Sequence, residues 1–176
     1  LFVRRSVANN LNDIAKDHPD LVVATLKRWQ KSRNPDTRWL VKHALRTLLK
    51  QGHPEALELL GYSRAARVKV EDLVVSPKRI KVGEAVTFRF HLRSLATAAQ
   101  PLMIDYIMHH RKANGETRPK VFKLTTKKLK PGEVLAVQKR HSFRPIGIRP
   151  YYPGRHAIEI QINGRVHARA EFALQR

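Results

Sequence analysis

The chain has 176 residues and carries 35 Lys and Arg against 14 Asp and Glu, a formal net charge of +21. Such an excess favours a polyanionic partner, either nucleic acid or an anionic membrane surface, over a basic surface that serves only solubility. The absence of cysteine excludes disulfides, thiolate catalysis and cysteine-based zinc sites. No apolar run reaches the roughly 18 residues of a membrane span.

The first 60 residues have the apolar spacing of helices. Val3, Val7, Leu11 and Ile14 recur at three and four residues, and similar stripes begin after Pro19, after Pro35 and after Pro54. The third stripe, from Leu40 to Leu48, predicts one continuous helix. The chain enters the first helix without an initiator Met or a signal peptide, so we expect it to be a piece of a longer protein.

The helical segment repeats itself at an offset of about 34 residues. Residues 3–11 align with residues 37–45, Lys16 aligns with Lys50, and His18-Pro19 aligns with His53-Pro54 after one inserted residue. Helix pairs with this period are typical of α-solenoids of the HEAT or armadillo kind. We therefore predict a HEAT-like helical domain over residues 1–60.

The pattern changes to strands after a predicted linker at residues 61–67. Alternating apolar and polar residues predict seven short strands, within residues 68–71, 86–92, 102–109, 120–124, 134–137, 157–162 and 168–174. Their number and spacing indicate an immunoglobulin-like antiparallel β-sandwich over residues 68–176. The predicted fold class is thus α + β, with an α-solenoid of helix pairs followed by this sandwich.

Most of the positive charge belongs to the predicted sandwich. Residues 1–63 have a net charge of +5 and residues 64–176 have +16. Residues 117–132 hold six Lys and Arg without an acid, and residues 134–158 hold five more, including Arg149. Such a basic, loop-rich stretch suits phosphate contacts, and Lys127, Lys128 and Lys130 are its candidate DNA ligands. The alternative interpretation is charge that maintains solubility.

A second basic surface is predicted on the helices. On the first helix a polar stripe continues at helical spacing, and the third helix carries the equivalent stripe. A basic, amide-rich inner face of a solenoid can hold the backbone of a duplex. The alternative is an ordinary solvated helix face. The candidate DNA ligands here are Arg4, Arg5, Asn9, Asn10, Asn12, Lys16, Arg38, Trp39, Lys42, His43 and Arg46.

Asp13 is the candidate catalytic residue. A carboxylate among Asn and Arg residues could orient a water molecule or stabilise a cationic sugar. The alternative is a surface acid paired with Lys16 or Arg5. No metal site is predicted, because His109 and His110 are adjacent on a strand and point to opposite faces. No cofactor-binding motif is present either, so neither a metal nor a cofactor is expected.

Several segments resemble the DNA alkylation repair family of HEAT-like glycosylases, in particular its AlkC branch, which has a C-terminal immunoglobulin-like domain. The helical segments that carry the resemblance are residues 3–14, 16–19, 37–48 and 53–57. The sandwich segments are residues 101–106, 109–115 and 152–156. The likeness extends over essentially the whole chain.

The resemblance implies excision of cationic N3-methylated bases, such as 3-methyladenine and 3-methylcytosine, from duplex DNA. Because the base leaves as a neutral molecule, the protein need only stabilise the sugar cation and position water. The resemblance also implies that the base stays stacked, that the Arg4–Asp13 helix faces the lesion, and that Asn9 and Asn10 contact DNA. It places the protein in the cytoplasm, in association with the nucleoid.

Two other functions stay open from the sequence. The earlier repeats of the family, one of which carries a Glu implicated in catalysis, are absent from this sequence. The chain is therefore expected to be the C-terminal part of a glycosylase, or a non-catalytic DNA-binding module with the same folds. A protein-interaction scaffold is the third possibility, against which the Lys-rich sandwich argues.

Overall fold

The fold was analysed in a computed structural model that describes residues 2–145 and 150–176, so Arg149 lies outside the described residues. The chain divides into two compact units, Leu1–Arg64 and Ala65–Arg176. The first unit is helical and the second consists of strands. No helix in the described part of the chain is long and apolar enough to cross a membrane.

The helical unit contains five helices within residues 2–64. They are α1 (Phe2–Ile14), α2 (Pro19–Trp29), α3 (Pro35–Ala44), α4 (Arg46–Gln51) and α5 (Pro54–Leu59). Proline occupies the first turn of α2, α3 and α5, where its missing N–H leaves no helical bond unmade. Small and branched apolar side chains form the core of the unit, namely Ala8, Ala15, Val22, Val23, Leu26, Val41, Ala44, Leu45, Leu48, Leu49, Ala56 and Leu57.

The prediction of one helix through Leu48 is wrong, because the chain breaks at Leu45 into α3 and α4. At the break, a side chain from another helix accepts one of the backbone donors that α3 releases. The Thr47 N–H donates to Asn12 Oδ1 of α1 at 3.1 Å rather than continuing the bonding of α3. Apolar spacing does not contain this information, since the apolar residues Ala44 and Leu48 are buried on either side of the break.

The second unit is an immunoglobulin-like sandwich of two sheets. The strands are β1 (Val68–Ser76), β2 (Arg79–Lys81), β3 (Ala85–Ser94), β4 (Gln100–Arg111), β5 (Thr117–Leu129), β6 (Val134–Ser142), β7 (Gly154–Ile162) and β8 (Arg165–Gln175). One sheet has the order β1-β3-β6 and the other has the order β2-β8-β7-β4-β5. All pairs are antiparallel except β2 with β8.

The seven predicted strands are present and each is longer than predicted. Their period-two pattern is clearest in β3, where Val86, Phe88, Phe90 and Leu92 are buried between exposed or half-buried neighbours. These side chains meet Leu102, Ile104, Met108, Ile158 and Ile160 of the other sheet in one core. The eighth strand, β2, was missed because three residues with one buried side chain show no periodicity.

Candidate nucleic-acid interface

The basic helical face, as we name it, consists of Arg5, Asp13, Lys16, Trp39, His43 and Arg46. Helices α1 and α3 pack against each other and are joined by Arg4. The Arg4 guanidinium lies over the Trp39 ring, 4.3 Å from its centroid, and forms an ion pair with Asp36. Arg4 therefore holds α3 against α1, and its guanidinium is committed to these contacts. Sequence reasoning did not single out Asp36, because an acid in the first turn of a helix is common and gives no sign of a distant partner.

Trp39 and His43 form a stack one helical turn apart on α3. Their ring centroids are 4.7 Å apart and the ring planes differ by 10°. Next to them, Arg46 Nη1 donates to the His43 carbonyl at 2.9 Å. Partial burial, then the positive charges of Arg46 and Arg5, hold the pKa of His43 below its ordinary value. His43 is consequently neutral at physiological pH and can both donate and accept a hydrogen bond.

Asp13 lies at the exposed end of α1, where Lys16 Nζ donates to its Oδ1 at 2.7 Å. The hydrogen bond from Lys16 and then the positive charge of Lys16 lower the pKa of Asp13, with a smaller contribution from Arg46. The carboxylate is therefore ionised at neutral pH. An ionised acid suits stabilisation of a nearby cation better than donation of a proton. This contact with Lys16 is also the one expected if Asp13 is only a surface acid in an ion pair.

The three asparagines of α1 occupy different environments. Asn10 is exposed and Asn9 is half-buried, so both side chains can reach a ligand. Asn12 is only 3% exposed, and its amide oxygen is used by the Thr47 N–H inside the helical unit. We therefore leave Asn12 out of the DNA-contacting set.

Two further candidates on α3, Arg38 and Lys42, are exposed. Arg38 Nη2 donates to the carbonyl of Arg33 at 3.3 Å, which is a weak restraint on an exposed side chain. Lys42 follows Val41, which is buried, and therefore projects away from the helical core. Both side chains remain available for phosphate contacts.

The predicted DNA ligands of the sandwich lie along one of its edges. Lys127 and Lys128 are exposed on β5, opposite Leu102 and Pro101 of β4, and β5 is an edge strand of the five-stranded sheet. Lys130 is exposed in the turn that follows. Within residues 2–145 and 150–176 these three lysines form no ion pair. Lysines on an edge strand also discourage pairing with a foreign strand.

Sequence reasoning missed a histidine cluster in the sandwich, in which His141 and His156 are buried and His110 is half-buried. The His110 ring centroid lies 5.9 Å from that of His141 and 6.0 Å from that of His156, and Phe143 packs against all three rings. These histidines come from three strands, so no local spacing in the sequence connects them. No group of three or more His, Cys, Asp or Glu among the described residues is placed to bind a metal ion.

His109 points away from this cluster. Its Nε2 lies 2.8 Å from Glu159 on β7, and Arg169 Nη1 donates to the same carboxylate at 2.9 Å. His109 and His110 thus occupy opposite faces of β4, as the strand geometry predicts. The hydrogen bond to Glu159 accounts for His109 as a structural residue of the sheet surface.

Residues 69–176, more than half of the chain, match the family described as "Uncharacterised protein YhaZ, C-terminal Ig-like domain". The chain belongs to this YhaZ family. The Uncharacterized protein YhaZ of Bacillus subtilis (strain 168) is 40% identical over 172 residues, which are 98% of this chain and 47% of that protein. The relationship therefore includes the helical unit as well as the sandwich.

A solved structure of Pseudomonas fluorescens AlkC is similar over the whole chain. That protein is an alkylpurine DNA glycosylase, bound there to DNA containing an abasic site analog. The identity is 41% and the TM-score 0.96, with 100% of this chain and 49% of that chain covered. The resemblance to AlkC-type glycosylases is thereby confirmed. This member of the YhaZ family spans about half the length of both relatives.

A more distant likeness concerns the fold alone. A β-glucosidase from Listeria innocua in complex with glucose is 14% identical, with a TM-score of 0.55, over 66% of this chain and 17% of that chain. At this identity the match shows a shared fold and nothing about activity.

Proposed function

We propose that this chain is the C-terminal part of a DNA glycosylase that excises cationic N3-alkylated bases from duplex DNA. The substrates are bases such as 3-methyladenine and 3-methylcytosine, which leave without being flipped out of the stack. The observation that carries the proposal is the 41% identity, over the entire chain, with an alkylpurine DNA glycosylase bound to DNA. We assign the helical unit to a HEAT-like array and place the protein with the nucleoid in the cytoplasm.

In this proposal Asp13 stabilises the sugar cation that forms as the glycosidic bond breaks. An alkylated base carries the positive charge in the substrate and departs neutral, so the charge moves to the sugar during the reaction. A carboxylate that remains ionised, because Lys16 holds its pKa down, favours that transfer without supplying a proton. Asp13 is also exposed enough to reach a bound strand, with 65% of its side chain accessible.

The basic side chains hold the phosphates in this proposal. Arg5, Lys16 and Arg46 of the basic helical face, with Arg38 and Lys42 beside them, provide charges for the backbone of the lesion-containing duplex. On the sandwich, Lys127, Lys128 and Lys130 provide a further set of exposed charges. Asn9, Asn10 and the neutral His43 offer hydrogen bonds without charge.

The test is release of 3-methylated base from methylated duplex DNA, measured under single-turnover conditions. We expect Asp13→Ala to slow release about 100-fold, the order found when one electrostatic contact to a transition state is removed. Asp17→Asn is the matched control, since Asp17 is another exposed acid just beyond α1 and is expected to leave the rate unchanged. Equal effects of the two substitutions would contradict the assignment of Asp13.

A second candidate function is a non-catalytic DNA-binding module. The observation that favours it is the Asp13–Lys16 pair, because an exposed acid satisfied by a neighbouring lysine needs no catalytic role. This alternative predicts salt-sensitive binding to methylated and unmethylated duplexes with no release of base. Absence of salt-sensitive binding would reject both functions and favour a protein-interaction scaffold.

A further inference from the structure

The helical hydrogen bonding is interrupted between α3 and α4, and the bond from Thr47 to His43 is one of those that are not made. In a continuous helix the Thr47 N–H would donate to the His43 carbonyl, four residues earlier. Here the Thr47 N–H donates to Asn12 Oδ1 at 3.1 Å, and the His43 carbonyl accepts from Arg46 Nη1 at 2.9 Å. Asn12 and Arg46 thus replace the two halves of the missing bond.

Asparagine is an unusual residue at the buried position 12 of α1, and the hydrogen bond that it makes at the break explains its presence there. An amide in the middle of a buried helix face costs free energy unless it is hydrogen-bonded, and Asn is a weak helix former. Asn12 is nevertheless 3% exposed in α1, where its neighbours Ala8 and Ala15 at helical spacing are apolar and buried. The bond to Thr47 satisfies the amide oxygen and provides an acceptor for an N–H that α3 has released.

The position of this bond connects two parts of the basic helical face. Asn12 directly precedes Asp13 on α1, and Thr47 directly follows Arg46 on α4. A restraint between Asn12 and Thr47 therefore fixes the backbone beside the carboxylate relative to the backbone beside the guanidinium. It also keeps the His43 carbonyl free to accept from Arg46, which holds that guanidinium next to His43.

We propose that Asn12 is the positioning residue of the basic helical face and sets Arg46 and His43 in place relative to Asp13. This inference rests on the proposed function for its catalytic consequence, while its structural consequence is independent of it. Without the acceptor of Asn12, the Thr47 N–H turns to the His43 carbonyl, and Arg46 loses its contact with that carbonyl.

The first measurement follows the His43 ring by NMR titration in the full chain. We expect Asn12→Ala to move the pKa of His43 upward, toward the ordinary value of histidine, because the charge of Arg46 moves away. Alanine is the best helix former, so this variant also loses little intrinsic stability in α1. Val22→Ala is the matched control, because Val22 is a buried residue of α2 outside the basic helical face.

The second measurement is single-turnover base release with duplex affinity measured alongside. We expect Asn12→Ala to slow release about 10-fold while the Kd for duplex DNA changes less than about 3-fold, since misplacement affects the reaction more than binding. Asn12→Asp keeps an oxygen acceptor at the same place and is expected to restore most of the rate. Val22→Ala is expected to lower stability without changing the rate.

The His43 titration tests the positioning role of Asn12, whereas base release tests the proposed function. If Asn12→Ala lowers stability as Val22→Ala does, but keeps both the His43 titration and the release rate, the positioning role is overturned. If the longer protein that contains this chain releases no base, the catalytic proposal fails and the His43 titration alone decides the role of Asn12. If Asn12→Ala does not fold, hydrogen exchange of the Thr47 amide in the unmodified chain decides, and rapid exchange there overturns the proposal.

Discussion

Lowering the pH from 8 to 5 is expected to destabilise the sandwich through its histidine cluster. Burial lowers the pKa of His110 to about 4, with further contributions from His141, His156, Lys120 and His109. Burial also lowers the pKa of His141 to about 4, followed by the charges of Lys120 and Lys139 and by His156. Both rings are therefore neutral in the folded protein and protonate more readily in the unfolded chain.

The contacts within the cluster explain why protonation of its histidine rings destabilises the folded state. The His156 Nε2–H donates to the Tyr152 carbonyl at 3.0 Å, so a second proton would have to sit on Nδ1. The Nδ1 atoms of His110 and His156 are buried and have no hydrogen-bond partner among the described residues. Protonation would therefore create buried N–H groups without acceptors, beside the basic side chains of Lys120, Lys139 and Arg111.

The magnitude follows from the two lowered values. A histidine with a folded pKa of about 4 and an unfolded pKa of about 6.5 stabilises the fold fully above pH 6.5 and loses that stability as the pH falls toward 4. Linkage then gives a loss of about 2 kcal/mol for each ring between pH 8 and pH 5, or about 4 kcal/mol for His110 and His141 together. That is a large part of the roughly 5–15 kcal/mol that stabilises a typical domain.

The assay is urea unfolding of the full chain at the two pH values. Trp29 and Trp39 both belong to the helical unit, so tryptophan fluorescence follows that unit while far-UV circular dichroism also follows the sandwich. His110→Phe is expected to remove about half of the loss, because it keeps an aromatic ring in place and removes one titrating group. His91→Gln, at an exposed position, is the control. A loss below about 1 kcal/mol at pH 5, or a loss unchanged in His110→Phe, would refute the reasoning.

Two other experiments test the sandwich. Gly154 has a φ of 130°, a conformation that L side chains rarely adopt, and a Cβ there would also displace the flexible side chain of the exposed Arg111, so we expect Gly154→Ala to cost about 2–3 kcal/mol in urea unfolding. Gly132→Ala, at a φ of 69° with no atom within 4 Å of its Cβ, should cost only about 1 kcal/mol, and equal costs would contradict the greater strain expected at Gly154. Lys127→Gln combined with Lys128→Gln should reduce the slope of log K against log salt for duplex binding by about 2, and an unchanged slope would remove β5 from the interface.

The parts of the fold that could be predicted are those in which one repeated pattern decides the structure. Strands such as β3 alternate because one face packs on a core and the other meets solvent, and that alternation is visible in the sequence. The helix starts at Pro19, Pro35 and Pro54 were predictable for a similar reason, since proline is tolerated in the first turn and not later.

The parts that could not be predicted depend on contacts between distant residues. The break at Leu45 is set by Asn12, which lies 35 residues before Thr47 in the sequence. The commitment of Arg4 to Asp36 and Trp39 likewise requires α1 and α3 to be packed together. The histidine cluster combines residues from three strands. In each case a polar side chain acquires its role from the fold, and the spacing of residues in the sequence does not contain that role.

The Asp13–Lys16 pair favours a different function in the free chain than in a complex with DNA. In the free chain the lysine satisfies the carboxylate, and an exposed pair of this kind contributes little stability. A phosphate close to the basic helical face would compete for Lys16, because a duplex places a dense row of charges along that face. The carboxylate would then be left ionised beside a cationic lesion. The free-chain pair and the electrostatic role of Asp13 therefore belong to two states of the same site, and a slower release of base by Asp13→Ala is the expected sign of the second.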